Sequence, residues 1–138
     1  MTPYLLHIED SEIDHELFSR AVKSIPIKWF KTALEGYTFL ESLPEEDYPQ
    51  IIVLDLNLPA ENGIKLIERM KVHQKYSTIP IIVLSSIAET KEIFNCYQAG
   101  ANAFLQKTLK SQDLIVKIQA MVDFWLSAAS LPKHGDIK

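Results

Sequence analysis

Ile51-Ile52-Val53-Leu54-Asp55 is the stretch on which the fold turns: four apolar residues in a row, the first three β-branched, closed by a carboxylate. So short a run, without alternation of apolar and polar residues, reads as a strand buried on both faces, as the middle of a parallel sheet requires. Working outward from it, Tyr4-Leu5-Leu6-His7-Ile8, Ile27-Lys28-Trp29-Phe30, Ile81-Ile82-Val83-Leu84 and Ala103-Phe104-Leu105-Gln106 recur at roughly even intervals. Glu9-Asp10 closes the first run, Ser85 the fourth and Lys107 the fifth. If these runs are parallel neighbours, carboxylates, a hydroxyl and an ammonium all meet at one edge of the sheet, where open α/β folds place their sites.

The intervening segments carry helical periodicity. Ser11-Glu12-Ile13-Asp14 reads as an N-cap with an acidic first turn, and Ile13, Leu17, Ala21 and Ile25, with Phe18 beside them, mark an inward face that Pro26 brings to a stop. Ala33, Tyr37 and Leu40, with Leu34 as a further candidate, supply the second helix, and the acidic turn from Pro44 to Pro49 ends it. Leu66, Ile67 and Met70 follow a start near Gly63-Ile64, and Ile93, Phe94 and Tyr97 precede a glycine stop at Ala99-Gly100-Ala101. Strand and helix therefore alternate as (βα)5, which predicts an α/β fold: a doubly wound, five-stranded parallel sheet between two helical layers. Residues 1–130 read as one domain and 131–138 as a flexible C-terminal tail.

The chain has 138 residues, 47% of them hydrophobic and 23% charged, so it fits one ordinary globular domain. No apolar stretch approaches the roughly 20 residues of a membrane helix. A net charge of −4, with basic residues spread along the chain, argues against direct nucleic-acid binding. The lone Cys96 forms no internal disulfide and reads as a small buried hydrophobe, and the N-terminus lacks the pattern of a signal peptide. The expectation is a cytoplasmic protein.

Glu9, Asp10 and Asp55 would repel one another in a shared pocket unless a cation joined them. All-oxygen ligands favour Mg2+, which binds one or two carboxylates together with a phosphate. Asp55 is then the candidate nucleophile, Lys107 the positive partner of a phosphoryl group and Ser85 its hydrogen-bond donor. Ser86 competes with Ser85 by one position, and strand alternation favours Ser85. His7, His15, His73 and His134 share no metal-ligand spacing, and His7 reads as a hydrogen-bonded core residue.

Ile8-Glu9-Asp10, Leu54-Asp55-Leu56-Asn57-Leu58-Pro59 with Asn62-Gly63, Leu84-Ser85-Ser86 and Phe104-Leu105-Gln106-Lys107 together resemble the receiver domain of two-component response regulators, over nearly the whole chain. The resemblance implies the flavodoxin-like receiver fold and a phosphoryl group accepted on Asp55 from a phosphohistidine of a sensor histidine kinase. It implies metal binding by Asp10, Asp55 and the backbone carbonyl of Asn57, with Glu9 reaching the ion through water. Ser85 and Phe104 would form the switch, the hydroxyl moving toward the phosphoryl group and the ring turning inward behind it. More narrowly, Asp55-Leu56-Asn57-Leu58-Pro59, Ile79-Pro80, Phe124-Trp125-Leu126 and Leu131-Pro132 look like stand-alone cyanobacterial phytochrome response regulators, which implies a phytochrome as the kinase.

Thr108 follows Lys107 where most receivers have a proline joined by a cis bond. Either that bond is cis, at a cost of about 3 kcal/mol without proline, or it is trans and Lys107 approaches from an altered backbone. The last helix carries Leu114, Ile115, Val116, Ile118, Met121, Val122, Phe124, Trp125 and Leu126, more than one buried stripe needs. The surplus predicts a homodimer made with the fourth helix and fifth strand, against the plainer alternative that Phe124 and Trp125 pack on the domain's own edge. Two rival functions stand beside the receiver. An aspartate-nucleophile phosphatase would need a second acid where Asn57 stands, and a phosphorylation-independent interaction module would leave the site set unused.

Overall fold

The computed structural model describes residues 2–56, 58 and 62–134. Its strands are β1 (Leu5–Ile8), β2 (Ile27–Phe30), β3 (Ile51–Leu54), β4 (Ile81–Ser85) and β5 (Ala103–Gln106). The helices are α1 (Glu12–Ala21), α2 (Ala33–Glu41), α3 (Gly63–Lys71), α4 (Thr90–Ala99) and α5 (Ser111–Asp123), with a 3-10 turn at Glu45–Asp47 and a π turn at Phe124–Ala128. All strand pairs are parallel and the sheet order is β2-β1-β3-β4-β5. The (βα)5 doubly wound α/β fold read from the sequence is the fold observed.

Alternation along each strand splits the core in two. Leu6, Ile8, Ile52, Leu54, Ile81 and Val83 face α2, α3 and α4, while Leu5, Ile51, Val53, Ile82 and Leu84 face α1 and α5. Only central strands flanked by helices on both sides can be apolar on every residue, and β1, β3 and the apolar run of β4 are buried throughout. His7 interrupts the apolar run of β1 and stays inside. It is buried, its ring stacks on Phe18 at 4.1 Å, and its Nδ1 lies 2.9 Å from Nδ1 of His15, as a hydrogen-bonded core residue should.

Helix faces follow the sequence with three corrections. In α1 the buried residue is Phe18, with Ala21 and Val22, whereas Ile13 is 79% exposed. A strict four-residue step overshoots the 3.6-residue turn by about 40° each time, so a row that reaches the inward face at Ala21 lies off it at Ile13. The helix also ends at Ala21, before Ile25 and Pro26, and Ile25 packs on the core from the loop. In α2, Leu34 faces solvent beside buried Ala33, Tyr37 and Leu40. In α4 the inward residue is Cys96, fully buried with its thiol pushed up to about 11 by burial, while Phe94 and Tyr97 are exposed.

Gly100 ends α4 with φ 115°, in the left-handed region, and a side chain there would meet Lys71 Cγ at 2.6 Å. Lys71 cannot retreat freely, because its ammonium donates to the carbonyls of Ser77 and Ile79 and to Asn102 Oδ1. Beyond α5, Leu131 packs on the α1/α5 side and the His134 ring lies 5.4 Å from that of Tyr48. Leu131 and His134 thus touch the body while Pro132 and Lys133 are exposed, and 135–138 lie outside the described residues. Among the described residues, no helix is long and apolar enough to cross a membrane.

Candidate functional site

The chain leaves β1 toward β2 on one side and reaches β3 on the other, so the strand order reverses between β1 and β3. The carboxyl ends of those two strands border the crevice that such a reversal opens. Glu9 and Asp10 leave β1 there and Asp55 leaves β3, each fixed by continued ladder bonding. Glu9 N donates to Phe30 O at 3.0 Å and Asp55 N to Ile8 O at 2.9 Å. One strand further along, Lys107 N donates to Ser85 O at 2.8 Å, which carries the end of β5 to the same edge.

One oxygen each from Glu9, Asp10 and Asp55 lies within 4.8 Å of the other two. Glu9 and Asp55 are buried, and Asp10 is more open to solvent. Lys107 Nζ reaches into this group, 2.8 Å from Glu9 Oε1, 2.9 Å from Asp14 Oδ2 and 3.7 Å from Asp55 Oδ2. Burial works against the ammonium, but hydrogen bonds to Asp14 and Glu9 outweigh it and hold Lys107 above its ordinary range. Burial and the adjoining Asp55 push the Glu9 carboxyl well above the usual carboxylate range, against the pull of Lys107. Two buried carboxylates beside one lysine thus resist carrying full charge at the same time. Hard oxygen donors this close together fit a divalent cation, which would relieve that repulsion.

Ser85 is the last residue of β4 and fully buried, its Oγ accepting from Ile87 N at 3.2 Å, whereas Ser86 is exposed. By alternation Ser85 shares the α4-side face of the sheet with Phe104, which pairs with Val83 in register and packs partly on that core. Phe104 N donates to the Tyr97 hydroxyl at 3.1 Å, so a tyrosine from α4 covers the edge strand at this point. All peptide bonds among the described residues are trans, Lys107-Thr108 included, and Lys107 still reaches the carboxylates. Asn57, the expected carbonyl ligand, lies outside the described residues.

Sequence reasoning missed Asp14, reading it only as first-turn acid. Ser11 Oγ accepts from Asp14 N at 3.2 Å, which starts α1 at the site edge and delivers the third residue of the helix to Lys107. An N-cap two residues past a strand-end carboxylate was the available signal. Trp29 was missed as well: its ring stacks on His15 at 4.0 Å and its Nε1 donates to the Glu9 carbonyl at 2.7 Å, bracing the β1 end from β2.

A doubly wound sheet with carboxylates gathered at its reversal point and a lysine across them is an arrangement suited to phosphoryl chemistry. The model of the response regulator receiver domain matches residues 5–119, and the chain belongs to that family. It is 28% identical over 135 residues to response regulator Rcp1 of Synechocystis, covering 93% of this chain and 92% of that protein. The phosphorylated cyanobacterial phytochrome response regulator RcpA superposes with a TM-score of 0.88 at 26% identity, over 96% of this chain and 99% of RcpA. The Mn2+-bound form of Rcp1 superposes with a TM-score of 0.85 at 27% identity, over 94% of this chain and 99% of Rcp1.

Proposed function

We propose that this receiver accepts a phosphoryl group on Asp55 from a phosphohistidine of a sensor histidine kinase, in a Mg2+-dependent reaction, and passes the signal on by reshaping α4, β5 and α5. The observation that carries the reading is the meeting of Glu9, Asp10, Asp55 and Lys107 at one sheet edge. In the transfer an Asp55 carboxylate oxygen forms a P–O bond as the donor's P–N bond breaks, and the imidazole leaves with the electron pair. Lys107 supplies positive charge to the transferred oxygens and Ser85 a hydrogen bond. Glu9 through water, Asp10, Asp55 and the Asn57 backbone carbonyl would hold the cation, which neutralises the incoming phosphoryl oxygens. With Asn57 where a phosphatase would need an acid, the protein acts as a phosphoacceptor rather than a turnover enzyme.

A protein donor suits the rim of the site. Ile13, Ile87 and Leu109 are exposed apolar side chains standing just beyond Asp10, Ser85 and Lys107 respectively, a border that a partner can cover. The likeness to RcpA, a cyanobacterial phytochrome response regulator, supports a phytochrome as that kinase, and the setting proposed with it is cytoplasmic. Exposed Phe94, Tyr97, Val116 and Phe124 support a homodimer through α4, β5 and α5, with Ser85 and Phe104 linking Asp55 to that surface. Residues 1–130 form the receiver unit, and 131–138 are an appendage to it.

Incubation with acetyl phosphate and Mg2+ followed by intact-mass measurement tests the reading. The wild-type chain gains one phosphoryl group, while Asp55→Asn and wild type in EDTA gain none. An unlabelled wild-type chain, or an equally labelled Asp55→Asn, overturns it.

A further inference from the structure

Lys107 has three N–H donors, and two are already committed to Glu9 Oε1 and Asp14 Oδ2, at 2.8 and 2.9 Å. Asp55 Oδ2 at 3.7 Å is too far for a hydrogen bond and attracts the ammonium only through charge. The two committed carboxylates differ in situation. Glu9 is buried and belongs to the oxygen trio with Asp10 and Asp55, so a cation joining that trio competes with Lys107 for its oxygens and repels the ammonium. Asp14 stands outside the trio, its side chain 44% exposed at the mouth of the crevice.

The place of Asp14 is set by the first turn of α1. Ser11 Oγ accepts from Asp14 N at 3.2 Å and Ser11 O from His15 N at 2.9 Å, which fixes the turn, and Ser11 N donates to Glu9 Oε2 at 3.3 Å, which ties it to the end of β1. A lysine that loses Glu9 to a metal would otherwise swing its flexible stem toward water, next to the fully exposed Leu109. With Asp14 in place it keeps one anchor on the solvent side of Asp55, where a phosphoryl group must arrive.

Resting on the phosphoacceptor reading above, we propose that Asp14 is a positioning residue, a tether that holds the Lys107 ammonium at the mouth of the site while Glu9 is engaged elsewhere. Two donors of Lys107 are thereby left for the oxygens of the group arriving on Asp55. Asp14 acts only through Lys107 and takes no part in bond making.

The test is the rate of Asp55 labelling by acetyl phosphate with saturating Mg2+ in wild type, Asp14→Asn, Lys107→Ala and the double variant. Asp14→Asn keeps the shape and removes the charge, and it slows labelling by about tenfold, as loss of one hydrogen bond to a charged group implies. In the Lys107→Ala background the same substitution has no further effect. Glu12→Gln removes the same charge from the same turn, where Glu12 pairs at 3.0 Å with exposed Lys31, and leaves the wild-type rate unchanged. Asp14→Glu, which keeps the carboxylate, recovers most of the lost rate. A rate for Asp14→Asn at or above wild type would show that Asp14 restrains Lys107 rather than presenting it, and overturns the proposal. An equal loss in the Lys107→Ala background, an equal loss in Glu12→Gln, or no recovery in Asp14→Glu overturns it too. If wild type does not label, the phosphoacceptor reading falls and the tether with it; labelling of wild type with an unaffected Asp14→Asn removes the tether alone.

Discussion

Among the described residues His7 is one of four buried polar or charged residues, and its imidazole sits between Phe18 and His15, behind the acidic site. Burial, reinforced by the neighbouring His15 and Lys107, lowers its pKa well below 6.5, and burial lowers that of His15 as well. As pH falls below 6.5 the unfolded chain takes up protons at these rings while the folded chain resists. Stability contributed here is therefore complete above pH 6.5 and is lost as pH falls toward the depressed folded values. Between about pH 7.5 and 5.5 wild type should lose more stability than His7→Leu, in which this titration is gone. Urea unfolding of both proteins at the two pH values measures the difference, and identical pH slopes would contradict the burial argument. At this scale the sequence marked Glu9, Asp10, Asp55, Ser85 and Lys107 because each ends an apolar run. It did not mark Asp14 or Trp29, because a hydrogen bond arriving from another element leaves no local pattern.

Elements were legible where one face alone decides them and illegible where a helix lies at the sheet border. The centre of the sheet announces itself by apolar runs, unbroken at Ile51–Leu54 and Ile81–Leu84 and interrupted only by His7 in β1, and α3 by a single clean stripe at Leu66, Ile67 and Met70. Helix α4 borders the edge strand β5, so Phe94 and Tyr97 are apolar without being inward, and periodicity alone cannot separate a core face from an exposed one. In the last helical segment the plainer alternative holds for Trp125, which packs partly on the α1/α5 core, while Val116 and Phe124 remain exposed. If α4, β5 and α5 form a homodimer, Val116→Glu should give a monomer by sedimentation velocity, with a melting temperature that no longer depends on protein concentration. A dimer that persists in this variant places the interface elsewhere. The αL cap of α4 makes a separate prediction: Gly100→Ala destabilises by more than about 1 kcal/mol, through both the positive φ and the clash with Lys71. Equal urea midpoints for wild type and Gly100→Ala would show that this corner relaxes freely.

For the whole molecule, the order β2-β1-β3-β4-β5 converts sequence positions 9, 10, 55 and 107 into one pocket, since it places the reversal of strand order between β1 and β3. That convergence was readable because right-handed crossovers leave few ways to lay five parallel strands, and all of them put the acidic strand ends on the same edge. The trans Lys107-Thr108 bond was not readable, because a sequence without proline there is compatible with either geometry. The clustered carboxylates are the physical centre of the proposed function: in that reading a cation and Lys107 would together attract the group that the carboxylate of Asp55 receives. Borohydride reduction of the protein after acetyl phosphate treatment, followed by peptide mapping, tests this most directly, because reduction converts an aspartyl phosphate to homoserine at the residue that carried it. The account predicts homoserine at position 55 alone. Homoserine at Asp10 or Asp14, or a phosphoryl label that resists reduction, would contradict it.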